Sequence, residues 1–188
     1  MARPKSDHRR NSILDAAVRV IAGQGLGAPT ALIAKEAGIS NGSLFTYFAT
    51  KTDLLNALYV ELKGEMGRAA THGLTQHTES REQFRAMWTH WIDWATTYPE
   101  KRRVLAILGV SDEITTESRN IGHQTMAPVA KLLDQLRAKG PMREVPLGFV
   151  SGLMTAVADT AIDFIIREPA TRQKRSDEAF EALWRILT

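Results

Sequence analysis

Apolar residues recur along this chain at helical spacing, and nowhere over any length at the two-residue alternation of a strand. Ile13, Leu14, Ala17, Val18 and Ile21 share one face of a first helix, which Gly23, Gly25 and Gly27 end. Pro29 suits the first position of a second, short helix, since its missing N–H has no partner there anyway. That helix carries Leu32, Ile33, Ala34 and Ala37 and stops at Gly38. Ser40 caps a third helix with Leu44, Phe45 and Phe48 as its apolar face. A fourth starts near Lys51 and turns Leu54, Leu55, Leu58, Tyr59 and Leu62 inward. Residues 71–80 are a polar joint, closed by a capping box of Ser80 and Gln83. The next helix carries Phe84, Met87, Trp88, Trp91, Ile92 and Ala95 and ends before Pro99. Helices over 101–110 and 116–139 follow, the second stopped by Gly140-Pro141. Pro146 opens a helix over 147–167 that is apolar nearly all round, so it reads as buried on more than one side. Residues 168–175 read as a basic loop, and Ser176 caps a last helix with Ala179, Phe180, Leu183, Trp184 and Leu187 on one face. The pattern predicts an all-α chain of about nine helices: a three-helix unit at 1–50, then a connecting helix and a larger helical body at 51–188.

Composition narrows the function classes. A chain of 188 residues, 44% hydrophobic, can bury a sizeable core. With no cysteine, a disulfide scaffold and a thiolate metal site are both excluded. No charge-free apolar run reaches the roughly 18 residues of a membrane span. The basic start, MARPKSDHRRNS, lacks the apolar stretch of a signal peptide, so the expected location is cytoplasmic, with no membrane partner. The net charge of +3 is unevenly placed. The first sixty residues hold seven Lys/Arg against four Asp/Glu, and the rest holds seventeen of each. That excess points to a polyanion partner at the N-terminal end.

Two short helices joined by Gly38-Ile39-Ser40 suit a helix-turn-helix, in which the first helix crosses a phosphate backbone and the second enters a DNA major groove. The second helix, Asn41 to Phe48, divides by role. Leu44, Phe45 and Phe48 are expected to pack on Ile13, Val18 and Ile33. Asn41, Ser43, Thr46 and Tyr47 are expected to face out, each with a hydrogen-bond donor. Gly42 leaves room for close backbone approach. Lys51 adds a charge for a neighbouring phosphate.

With these residues in place, the sequence resembles the TetR-like family of one-component transcription regulators. The resemblance runs over roughly residues 9–58. It is carried by Ile33-Ala34, Ala37-Gly38-Ile39-Ser40, Asn41-Gly42-Ser43, Phe45-x-x-Phe48, Lys51 and Leu54-Leu55. It implies DNA contacts from Thr30, Ser40, Asn41, Gly42, Ser43, Thr46, Tyr47 and Lys51, with Arg9 and Arg10 reaching the backbone from an N-terminal arm. Two departures stand out. Ala28-Pro29 replaces the usual capping hydroxyls, which shifts the phosphate contact to Thr30 or to backbone N–H groups. Phe45 stands where Tyr is commoner, at a position expected to pack rather than to contact.

The resemblance also implies a homodimer on a palindromic operator of double-stranded DNA, most often as a repressor. A recognition helix reads only a few base pairs, and two placed about 34–36 Å apart read both half-sites. The expected dimer surface is Phe149, Leu153, Val157, Ala161 and Phe164 with Phe180, Leu183, Trp184 and Leu187, as halves of an intersubunit four-helix bundle. A small-molecule effector is implied in the body, with Phe84, Met87, Trp88, Trp91, His123, Met126 and Met154 as candidate lining and His90 among the groups that would orient it. The plain alternative for each is ordinary core or surface. No cofactor, metal or catalytic constellation is expected. Asp159 and Asp163 share a helix face without a third group, and His72 and His77 do not. The competing reading is an all-α small-molecule-binding module or enzyme whose helix-turn-helix only packs.

Overall fold

The computed structural model describes residues 3–138 and 140–188, with the side chains of 3–6 and 75 also outside the description. The helix end expected at Lys139 therefore falls outside the described residues. These residues form ten α-helices, two short 3-10 turns and no strand. The helices are α1 (Arg3–Gln24), α2 (Thr30–Glu36), α3 (Asn41–Phe45), α4 (Lys51–Thr71), α5 (Ser80–Thr97), α6 (Pro99–Gly109), α7 (Thr116–Thr125), α8 (Ala127–Arg137), α9 (Leu147–Arg167) and α10 (Arg172–Leu187). The tenth arises because the run expected over 116–139 is two helices. Pro128 has no N–H to donate to the preceding turn, so α7 ends at Thr125 and α8 starts afresh with Pro128 in its first turn.

The chain divides into two compact units, residues 1–64 with 98–122, and residues 65–97 with 123–188. The sequence division at 50/51 separates roles, whereas the structural boundary falls inside α4 and again inside α7. In the first unit, α1 packs on α2 and α6, and α2 on α3. Ile13, Leu14, Ala17, Val18 and Ile21 of α1 are buried as the periodicity demands, together with Ile33, Leu44, Leu54, Leu55 and Leu58. Each of these Ile, Leu and Val side chains taken out of water contributes about 1.5–3 kcal/mol. Arg19 on α1 and Glu36 on α2 add an ion pair at 2.6 Å, too exposed to weigh much.

Polar contacts hold the segment between α6 and α7 to α4. Asn56 donates through Nδ2 to the carbonyl of Glu113 (2.8 Å) and accepts at Oδ1 from the N–H of Thr115 (2.9 Å). Thr52 Oγ1 donates to the Glu113 carboxylate at 2.6 Å. Arg119 closes the end of α6 by donating to the carbonyls of Gly109 (2.7 Å) and Ser111 (2.8 Å). Burial pushes the Tyr59 phenol above its ordinary range, with the Arg119 charge pulling part of the way back. Burial likewise pulls the Lys63 ammonium down.

In the second unit, α5, α8, α9 and α10 pack pairwise around Phe84, Met87, Trp88, Met154, Ile162 and Phe180. Arg85 lies 3.8 Å over the Phe180 ring and pairs with Asp177 and Glu181. Three features differ from the sequence reading. Ser80 is the first residue of α5, and Gln83 reaches back to the His77 carbonyl (2.8 Å), so the expected capping box does not form. The stretch expected as a loop at 168–175 is a 3-10 turn, Pro169–Thr171, running into α10 at Arg172, so Ser176 lies inside that helix. Finally, α9 buries one face only within the chain. Val150, Met154, Ala158, Ala161, Ile162 and Ile165 are inward, while Phe149 (60%), Phe164 (42%) and Ile166 remain exposed. By length and composition alone α9 is apolar enough to cross a membrane.

Candidate nucleic-acid interface

The reader is assembled around one turn. At the end of α2 the N–H of Gly38 donates to the Lys35 carbonyl (3.1 Å), and that of Ile39 to the Ala34 carbonyl (3.0 Å). This is the double bond of a Schellman cap. Gly38 sits at φ +68, a conformation L side chains disfavour, which is why a glycine occupies the turn. Ser40 then opens α3: its Oγ accepts from the Ser43 N–H at 3.1 Å and lies 2.9 Å from the Ser43 hydroxyl. The next helix is capped by a reciprocal pair that the sequence reading passed over. Thr50 N–H donates to the Asp53 carboxylate (3.0 Å), and Asp53 N–H donates to Thr50 Oγ1 (3.0 Å).

The recognition helix is shorter than expected. It ends at Phe45, and Thr46 to Phe48 continue as turns bonded to Ser43 and Leu44. Leu44 and Phe48 pack inward as expected, but Phe45 does not: it is 39% exposed. Leu44 and Phe45 are adjacent, and 100° of rotation per residue cannot turn both to one side of so short a helix. The ring of Phe45 therefore joins the solvent face with Asn41, Gly42, Ser43 and Thr46, all exposed. Tyr47 and Lys51 are half-buried beside them. Thr30, also half-buried, is the first residue of α2, whose N-cap is Pro29 with no side-chain cap bond. Arg9 and Arg10 lie within α1 rather than on an arm, because α1 already starts at Arg3. Arg9 is exposed, and the Arg10 guanidinium lies 5.5 Å over the Phe48 ring, anchored to the underside of the reader.

Hydrogen bonding sorts the exposed groups. Ser40 and Ser43 spend their hydroxyls on each other, and Thr46 Oγ1 donates to the Ser43 carbonyl at 2.7 Å. The polar ends of Asn41, Tyr47 and Lys51 make no such bond among the described residues.

Residues 13–58 match the family model described as bacterial regulatory proteins, tetR family. The chain therefore carries a TetR-type N-terminal region over those residues. A Bacillus subtilis (strain 168) protein, the fatty acid metabolism regulator protein, is 33% identical over 72 residues, which span 38% of this chain and 37% of that protein. A TetR family transcription regulator from Marinobacter aquaeolei VT8 shares the fold over 98% of each chain at 23% identity, with a TM-score of 0.87. The transcriptional regulator FadR from Bacillus subtilis, solved with stearoyl-CoA, shares it over 94% of this chain and 98% of that one at 18% identity, with a TM-score of 0.70. At those identities the two structures establish the fold alone.

The remaining candidates lie in the second unit. Phe84, Met87, Trp88 and Met154 are fully buried and Trp91 nearly so, while Met126 is half-buried and His123 exposed. Trp88 spends its Nε1 on the Ser176 carbonyl (3.1 Å) and hydroxyl (3.0 Å), which makes it a tie between α5 and α10. Of the expected dimer surface, Phe180, Leu183 and Leu187 are already buried in the single chain, against α5 and its neighbours, and so contribute nothing to a free face. Trp184 is half-buried. The outward residues of α9 remain. Val157 and Phe164, together with the inward Ala161, line an open groove of about 680 Å³ between α9 and α10, with Thr160, Arg175 and Glu178. No cluster of three or more metal-ligating side chains occurs among the described residues.

Proposed function

We propose that this protein is a cytoplasmic transcription repressor that binds a palindromic operator as a homodimer and releases it when a small molecule occupies its C-terminal unit. One observation carries the reading. A helix fixed by a Schellman turn and a serine cap presents Asn41 and Phe45, and the turn and helix start that follow place Tyr47 and Lys51 after them, one residue for each kind of contact DNA offers. Asparagine pairs bidentately with adenine, an apolar ring meets the thymine methyl, and a phenol and an ammonium hold sugar-phosphate. Thr30, Arg9 and the N–H groups opening α2 supply further backbone contacts.

The dimer is built on the outward face of α9. Phe149, Leu153, Val157 and Phe164 leave an apolar face that a second copy would cover, and the groove beside Ala161 would receive side chains from it. Effector binding acts as a population shift toward a dimer whose reading heads no longer match successive grooves. Helix α4, unbroken from Lys51 to Thr71, runs through both units, as the shorter α7 also does. The description of the Bacillus subtilis relative as a fatty acid metabolism regulator supports an effector with a large apolar part.

The test is selection of bound duplexes from a random DNA pool, followed by titration of the selected site. Asn41→Ala with Lys51→Ala should weaken binding and lower the slope of log affinity against log salt by about one per lost phosphate contact. Unchanged affinity and slope at every salt concentration refutes the interface. Sedimentation should give a dimer that Phe149→Asp with Phe164→Asp converts to monomer.

A further inference from the structure

Two buried polar atoms without a partner lie one helical turn apart in the second unit. They are His90 Nδ1 and Trp94 Nε1, both on α5 and four residues apart, so they share a face. Trp94 is 7% exposed. A buried donor left unpaired is costly, and the same helix avoids that cost at Trp88, whose indole N–H is bonded to Ser176.

The surroundings point the same way. His90 is held edge-on against the His72 ring, with centroids 4.9 Å apart. The backbone passes close to it at Gly73, where a Cβ would lie 3.7 Å from His90 Cε1. The next residue, Leu74, lines a cleft of about 300 Å³ together with Gln83, Lys131 and Leu132. Gln83 lies on the His90 face of α5, seven residues earlier, and the buried Met87 falls between them. The buried Met87 therefore lies between the cleft and the two unpaired nitrogens, and the cleft carries a cation at Lys131.

We propose that this face of α5 is a binding site for a slender apolar carboxylate, with His90 Nδ1–H and Trp94 Nε1–H donating to its two oxygens and its hydrocarbon chain lying along Met87 towards the cleft. A carboxylate accepts only, and its two oxygens match two neighbouring donors. Lys131 draws the anion to the mouth. The site rests on the regulator reading only for its consequence at DNA.

The probes are decanoate and decyltrimethylammonium, of matched chain length, titrated calorimetrically into the full chain below their micelle concentrations. The wild type should bind decanoate at least about 10-fold more tightly than the cation, since only decanoate accepts the two bonds. This comparison needs no variant. Trp94→Phe, which keeps a ring, should weaken decanoate roughly 10- to 100-fold, the equivalent of one hydrogen bond to a charged group, and leave the cation unaffected. Lys131→Gln, at an exposed position, should weaken decanoate in a salt-dependent way. Equal binding of the two probes, no decanoate binding, or full affinity in a folded Trp94→Phe variant overturns the site. The last result would mean that internal water pairs the two nitrogens. Decanoate binding without DNA binding would refute the regulator and leave this site standing, and the converse result would do the reverse.

Discussion

The contact between Asn56 and the segment before α7 gives a stability prediction whose size follows from the bonds. Asn56→Ala removes the donation to Glu113 (2.8 Å) and both acceptances at Oδ1, from the Thr115 N–H (2.9 Å) and the Thr115 hydroxyl (3.1 Å). It also removes the bond to the Thr52 carbonyl on the same helix (2.9 Å). A net hydrogen bond is worth about 0.5–1.5 kcal/mol. The freed groups here are mostly exposed and recover water, so the low end applies. Three long-range bonds at that value come to about 1.5–2 kcal/mol. At roughly 2–4 °C per kcal/mol for a chain of this size, the melting temperature should fall by about 3–8 °C. Thr52→Val is the control, because it loses a single exposed bond to Glu113 and should cost about 0.5 kcal/mol. Circular dichroism at 222 nm during urea and thermal unfolding reads both. If Asn56→Ala unfolds within 0.5 kcal/mol of wild type, or Thr52→Val costs more than it does, the amide does not hold this segment and the reasoning fails.

Three further outcomes are expected. Gly38→Ala should destabilise by about 1–2 kcal/mol through left-handed strain alone, since a Cβ there meets nothing within 4 Å; urea unfolding measures it, and a neutral effect would mean the turn relaxes. Tyr59, whose folded pKa lies above the ordinary value of 10, keeps its proton in the folded state where the unfolded chain loses it. Stability should therefore fall as pH rises from 10 through the folded pKa, and the difference between wild type and Tyr59→Phe across pH 8–11 should isolate that loss. Phe45→Ala should cost about 1 kcal/mol or more of discrimination at one thymine of the operator, while Ser43→Ala, whose hydroxyl is spent on Ser40, should change base preference little; competition binding with single-base variants of the selected duplex decides between them.

Whatever repeats every three to four residues was legible in the sequence. The apolar positions of α1, α4 and α5 were readable because each helix is long enough to show its inward stripe, and all of them are buried. Short elements were not. In five-residue α3 the apolar identity of Phe45 argued for packing, while rotation about the axis turned it out. Break points were missed where one residue decides, as at Pro128, which splits α7 from α8. In α9, near-uniform apolarity suggested burial all round, because periodicity cannot separate a face packed by the chain from one left exposed. The unpaired nitrogens of His90 and Trp94 were beyond sequence, since whether a donor has a partner depends on what other helices bring to it.

The reader itself shows a division of labour that residue type alone hides. A row of small hydroxyls at the start of a recognition helix invites the view that each reads a base. Here Ser40, Ser43 and Thr46 bond to one another and to the backbone, so they hold α3 in shape before any partner arrives. Ordering a helix of five residues costs conformational entropy that so short a piece cannot recover from its own hydrogen bonds. The Schellman turn at Gly38, the serine cap and the Thr50–Asp53 box recover it from both sides. On the proposed reading, binding is then not charged for folding the helix, and sequence preference would pass to the few side chains left unspent, Asn41, Phe45 and Tyr47.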